Sequence, residues 1–265
     1  MPTVQDLTDH LESIAPLAYQ ESYDNAGLLT GRPETAITGV MVCLDATEAV
    51  LDEALQRGCN VVVCHHPIIF KGLKRLTGRH YVERVVIKAI REELAVYAIH
   101  TNLDNVLQQG VNTRFARQLG LKDPQILAPK DIGPEGAVGS GMIGSLAKPM
   151  EETAFLDLVQ ARMRTDCVRH TALLGRPVER IAICGGAGIF LLETAVQAGA
   201  DAFVTADVKY HDFFEADQRL LLADIGHYES EQFTMDSLRE SISQKFSTFA
   251  AYCTSVRTNP IHYRG

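Results

Sequence analysis

The chain contains no tryptophan, no C-x-x-C pair among its six cysteines, no excess of basic residues and no long apolar run. Each absence excludes something. Lys plus Arg number 25 against 33 Asp plus Glu, a formal charge of −8. A polyanion would therefore meet net repulsion, which argues against electrostatic nucleic-acid binding. No stretch approaches the roughly 20 apolar residues of a membrane span, which argues against a membrane partner. Met1 to Glu12 has neither a basic n-region nor an apolar h-region, so a cytoplasmic location is expected. Cys43, Cys59, Cys64, Cys167, Cys184 and Cys253 are scattered and are read as reduced core residues rather than thiolate ligands or disulfides. No low-complexity tract or block of like charge offers an interaction tail.

What is present is an alternation of strands and helices. Val40 to Leu44 is a short apolar run. Asp45-Ala46-Thr47 follows as a capping turn, and Val50, Leu51, Ala54 and Leu55 then recur at helical spacing between Glu48 and Gln56. Gly58 stops that helix, and Asn60 to Cys64 reads as a buried strand, since an unbroken β-branched run suits a parallel sheet covered on both faces. A helix over Tyr81–Glu92 leads to a third strand, Leu94–Ile99. Strands joined by helices of this length imply right-handed crossovers and a largely parallel sheet.

The pattern then repeats. A shift of 141 residues lays Ile181-Ala182-Ile183-Cys184 over the first strand, Leu192, Ala195 and Gly199 over Leu51, Ala54 and Gly58, and Phe203-Val204-Thr205 over the second strand. A shift of 127 lays His227-Tyr228-Glu229-Ser230-Glu231 over His100-Thr101-Asn102-Leu103-Asp104, each a His followed four residues later by a carboxylate. The expected architecture is therefore α/β, two similar lobes with mostly parallel or mixed sheets and their strand ends facing a common cleft. Leu127 to Pro149, with Gly133, Pro134, Gly136, Gly139, Gly141 and Gly144, is read as a lobe junction or a turn-rich edge. The boundary is placed near residue 128, giving a first lobe of residues 1–128 completed by 232–265 and a second of 129–231.

The chemistry belongs at the strand ends. The second strand delivers Cys64-His65-His66-Pro67 at its carboxyl end. Adjacent histidines on an extended chain point in opposite directions, so they would serve two neighbouring ions rather than one. The third strand runs through His100 to Asp104. His227 and Glu231, if helical, are i, i+4 neighbours able to share a metal, within a helical stretch reaching about Phe246. Together these form an imidazole and carboxylate cluster suited to Zn, Fe, Mn or Ni.

Asp24 and Asn25, with Gly27 and Gly31, read as a cap and turn, with substrate contact as the alternative. Gly185-Gly186-Ala187-Gly188 lacks the G-x-G-x-x-G order and a P-loop lysine, so tight strand-to-helix packing is preferred over a phosphate cradle. Lys209, Tyr210 and His211 follow the second-half strand at the place equivalent to the His65-His66 corner and are candidates for contact with a small anionic ligand.

Tyr23-Asp24-Asn25-Ala26-Gly27-Leu28-Leu29-Thr30-Gly31, Cys64-His65-His66-Pro67, His100 to Asp104, Ile183 to Gly188, Ala206-Asp207-Val208-Lys209-Tyr210-His211 and Gly226 to Glu231 occur in that order. Together they resemble the signatures of the dinuclear metal-centre proteins known as GTP cyclohydrolase I type 2 homologues, the YbgI-like family. The resemblance implies two similar α/β lobes, two divalent metal ions per chain in the cleft between them, and a homohexameric ring. It further implies His65, His66, Asp104, His227 and Glu231 as ligands; His100, which matches the motif outside that set, is read as a residue orienting Asp104 or a water, with ligation as the alternative. Five side chains cannot saturate two ions, and open positions suit a hydrolase of a nucleotide-like anionic substrate. Two divalent ions against Asp104 and Glu231 leave the site positive, so an acidic chain can still attract an anion there. The alternative is a non-catalytic ring scaffold or regulatory protein.

Overall fold

The computed structural model describes residues 1–132 and 138–264. Gly133, Pro134 and Gly136 of the glycine-rich segment lie outside the described residues.

The first half of the chain runs α1 (Val4–Ile14), β1 (Gly27–Thr30), β2 (Gly39–Asp45), α2 (Glu48–Gln56), β3 (Val61–His66), α3 (Tyr81–Arg91), β4 (Ala95–Ala98) and α4 (Thr101–Asp104). It continues through α5 (Val111–Leu119), β5 (Lys122–Pro129), β6 (Gly139–Met150), α6 (Glu152–Met163) and β7 (Arg169–His170). The remainder is β8 (Val178–Ile183), α7 (Leu192–Gln197), β9 (Ala202–Thr205), β10 (Leu221–Asp224), α8 (His227–Glu231), α9 (Thr234–Lys245) and β11 (Ala250–Cys253). The chain forms two units: residues 1–103 with 234–260, and residues 104–233 with 261–265.

In the first unit the sheet order is β1-β4-β3-β2-β11. Strands β11, β2, β3 and β4 are parallel, and only β1 runs antiparallel. β2 and β3 are buried almost throughout, as their unbroken apolar runs require. Thr47 caps α2 by accepting from the Val50 amide, and Gly58, at φ +70°, supplies the left-handed turn that frees the chain for β3.

In the second unit the order is β5-β6-β8-β9-β10-β7, with β8, β9 and β10 parallel and the outer strands antiparallel. Both sheets are thus mixed around a parallel centre. The internal repeat is visible as the matching order β2-β3-β4 and β8-β9-β10. Helix α2 corresponds to a short 3-10 turn, Ile189–Leu191, running into α7, and α4 corresponds to α8.

Two sequence expectations change. Of the two readings of Leu127 to Pro149, the edge holds and the lobe junction does not, because β5 and β6 pair antiparallel from Lys122↔Ser145 to Pro129↔Gly139 and carry the edge of the second sheet. The units part at Leu103 and Asp104, not near residue 128, because Phe115, Ala116 and Leu119 of α5 pack with Met142, Ile181 and Phe155 in the second core. The helical stretch after His227 is also two helices, α8 and α9, separated at Gln232 and Phe233. Among the described residues no helix is long and apolar enough to cross a membrane. All six cysteines are free thiols, and Cys43, Cys59, Cys64 and Cys184 are buried.

Candidate metal centre

The carboxyl end of the first sheet gathers three histidines. His65 and His66 close β3, and His100 stands between β4 and α4. Side chains at a strand's last residues lean along its direction, and no further strand residues constrain them. Both β3 rings therefore reach past the sheet edge, their centroids 4.9 Å apart, and the opposed directions of a regular strand do not separate them. The His100 ring lies 5.3 Å from His65 and 5.4 Å from His66, and one nitrogen from each of the three falls within 4.8 Å of the others.

Each of these rings is held through Nδ1. His65 Nδ1 donates to the Ile99 carbonyl at 2.7 Å, and His66 Nδ1 donates to Asp45 Oδ1 at 2.8 Å. Asp45 is steadied in turn by the Thr258 hydroxyl at 2.7 Å. His100 Nδ1 donates to Asp24 Oδ1 at 2.7 Å, so its bond goes to Asp24 and not to Asp104. Asp24 also accepts from the Thr101 amide at 3.0 Å and from the Thr101 hydroxyl. It caps α4 from far upstream, which joins the cap reading of Asp24 to the site. Burial pushes its carboxyl up, but the bonds from His100 and Thr101 outweigh this and hold it down at about 2. Asn102 fixes the turn, accepting from the His100 amide and donating to the Ala15 carbonyl.

The second unit gathers carboxylates. α8 places His227 and Glu231 one turn apart, with His227 Nε2 3.2 Å from Glu231 Oε2. The carboxylate oxygens of Asp104 and Glu231 approach within 4.8 Å of one another, with Glu231 buried and Asp104 half-buried. The Glu231 charge, aided by Asp207, pushes the His227 imidazole up to about 11 against the effect of burial. Burial and the Asp104 and Glu231 carboxylates drive the Cys184 thiol well above its ordinary range, which leaves it an inert packing group. Two like charges sharing so small a volume favour a nearby cation, a part that the protonated His227 imidazole takes and that a bound divalent ion could also take. Imidazole nitrogens and carboxylate oxygens are the donors that borderline divalent ions take, so the residues fit a metal.

The glycine run seats this group. Gly186 has φ +62°, and a Cβ there would lie 2.5 Å from Glu231 Oε1 and 3.2 Å from His227 Cε1. The amides of Gly185, Gly186 and Gly188 donate to Asn112 Oδ1, Ser230 Oγ and Thr205 Oγ1. With these amides taken by side chains, the loop packs against α8 and does not cradle phosphate. Asn112 also donates to the Asp104 carbonyl at 3.1 Å, tying that residue to the loop.

Lys209, Tyr210 and His211 enter a 3-10 segment, Tyr210–Ala216, with Tyr210 exposed. Tyr210 lines a cavity of about 590 Å³ together with Arg169, His170, Phe213, Phe214 and Gln218, whereas Lys209 and His211 are not among its lining residues. Sequence reasoning missed Asp45 and Asp207 as partners of the histidines. His227 Nδ1 donates to Asp207 Oδ2 at 2.7 Å, and Asp207 adopts φ +55°. A signal existed, since the 141-residue shift lays Asp207 over His66.

The fold and this donor set define a mixed α/β protein with clustered imidazole and carboxylate groups able to hold metal. The sequence model of Duf34/NIF3 (NGG1p interacting factor 3) matches residues 2–260, and the chain belongs to that family. A "GTP cyclohydrolase 1 type 2 homolog" of Clostridium acetobutylicum is 31% identical over 86% of this chain and 85% of its own length. One of Streptococcus pneumoniae is 30% identical over 95% and 96%. Among solved structures, a Staphylococcus aureus hypothetical protein superposes with a TM-score of 0.92 at 29% identity, covering 99% of both chains. The protein ybgI superposes at 0.83 over 98% of this chain and all of its own; at 21% identity this shows the fold alone.

Proposed function

We propose that the chain is a dinuclear metal-binding protein that hydrolyses a nucleotide-like anionic substrate. The ligands in this reading are His65, His66, Asp104, His227 and Glu231. The observation that carries this reading is the approach of the Asp104 and Glu231 carboxylates to within 4.8 Å, with Glu231 buried, beside an imidazole fixed by Asp207. Divalent ions held by these residues would supply Lewis acidity and a water of lowered pKa. The protein's own part is to fix the ring tautomers through Asp45, Asp207 and the Ile99 carbonyl, and to admit α8 by way of Gly186. The nucleotide class follows the printed name of the relatives. The homohexamer that the family resemblance implies is measurable by sedimentation as about six chain masses.

Elemental analysis of protein purified without chelator tests the site, with wild type compared to His65→Ala and Glu231→Ala. GTP and other nucleotides are screened in parallel with added Mn, Fe and Zn. Two ions per chain, lost in either variant together with turnover, is the expected result. Two ions without turnover would replace the hydrolase by a metal-binding scaffold, and no ions would end the reading.

A further inference from the structure

We propose that His100 is a third imidazole ligand, so that the first unit presents a three-histidine metal site, His65, His66 and His100, aimed in part by Asp24. The proposal deepens the metal-binding reading and rests on it.

Histidines that bind metal characteristically hand their other ring N–H to a carboxylate or a backbone carbonyl, which fixes the tautomer and the ring's direction. By this criterion His100 cannot be distinguished from its neighbours. The acceptors are the Ile99 carbonyl for His65, Asp45 for His66 and Asp24 for His100, at 2.7, 2.8 and 2.7 Å. The three rings offer nitrogens within 4.8 Å of one another, the spacing of ligands around one ion. Asp24 is more firmly held than an incidental partner needs to be. Its side chain has no exposed surface, and one oxygen takes the Thr101 amide and hydroxyl while the other takes His100.

The internal repeat is an independent argument. The 127-residue shift lays His100 over His227; His100 immediately precedes the short helix α4, and His227 opens the short helix α8. Each also donates from Nδ1 to an aspartate at 2.7 Å, Asp24 in one half and Asp207 in the other. The half that retains a carboxylate partner, Glu231, at the second ring nitrogen of its histidine is proposed to ligate through that histidine. The half with two further imidazoles at the equivalent place has the donors to do the same. Three histidines and an open fourth position form a donor set that zinc accepts in catalytic sites.

The test uses the full chain stripped of metal and reloaded with Zn or Co. Affinity is read by competition with a chromogenic chelator, and ligand type by X-ray absorption at Zn and by the Co visible spectrum. His100→Ala is expected to raise the Kd of one ion about a hundredfold and to remove one imidazole from the absorption fit. Asp24→Asn is expected to raise it on the order of tenfold to a hundredfold, as loss of an orienting partner does. His100→Gly, with circular dichroism confirming the fold, should regain affinity when free imidazole is added, which a merely structural role would not allow. Wild-type affinity and an unchanged Co spectrum in His100→Ala would overturn the proposal while leaving the metal reading intact. Failure of the wild type itself to bind would overturn both.

Discussion

At the scale of single residues, the site is built by groups that carry no metal themselves. Gly186 is the clearest. A methyl group there would press on Glu231 and His227, and its φ of +62° costs a residue with a Cβ roughly 1–2 kcal/mol. Gly186→Ala is therefore expected to fold with a modest loss of stability and to lose most of its metal, checked by a thermal melt beside elemental analysis. Asp207→Ala removes the acceptor that fixes His227 and should weaken the ion on the order of tenfold to a hundredfold in a chelator competition. The histidines and the Asp104 and Glu231 carboxylates were legible in the sequence because a ligand must be a particular side chain at a strand or helix end. Asp45 and Asn112 were not, since an aspartate after a strand and an asparagine in a helix look like ordinary caps until the fold brings their partners near.

At the scale of elements, α2, α3 and the strands β2, β3 and β4 were legible to within a residue or two, because apolar period and capping chemistry agree locally, whereas α1 and β11 were not read. α2 was read at Glu48–Gln56, where it lies, and α3 at Tyr81–Glu92 against Tyr81–Arg91. The β5–β6 pair was only half legible, for its glycines read equally as a linker or as a turn-rich edge until β6 is seen paired with β8. The attachment of β11 also rests on a long-range polar lock. Glu53 of α2, buried, accepts from the Thr254 hydroxyl at 2.5 Å, the Ser255 amide at 3.0 Å and the Ser255 hydroxyl at 2.8 Å. Glu53→Gln should destabilise the chain by about 1–3 kcal/mol at neutral pH, measured by urea unfolding. Burial pushes the Glu53 carboxyl up, but the bonds from Thr254 and Ser255 outweigh it and leave it below its ordinary value. A carboxyl lower in the folded than in the unfolded chain adds stability above its unfolded value, near pH 4.3–4.5, and loses it as pH falls through the folded one. The gap between wild type and Glu53→Gln should accordingly narrow below about pH 4; a gap constant from pH 7 to pH 3 would show that the charge contributes nothing.

At the scale of the whole molecule, the chain leaves its first unit after Leu103 and returns to it at Thr234. The sequence carried part of this, since a tail after Glu231 with no strand-helix repeat of its own had to complete something earlier. The return supplies an edge strand, β11, paired parallel with β2 from Ala250↔Gly39 to Cys253↔Val42, and α9, whose Leu238 and Ile242 are buried. Burial of each of those two side chains stabilises by about 1.5–3 kcal/mol, and the Glu53 lock adds to them. The sum is comparable with the roughly 5–15 kcal/mol that holds an ordinary domain together. A chain ending at Phe233 should therefore lose the first sheet's cooperative fold, although β2, β3 and β4 and both their connecting helices remain in it. Hydrogen exchange followed by mass spectrometry reads this directly. Amides of Val40–Leu44 and Val61–Cys64 should exchange slowly in the full chain and fast in the shortened one. Equal protection of those strands in the two chains would mean that the first unit is complete by residue 103 and that the returning segment only decorates it.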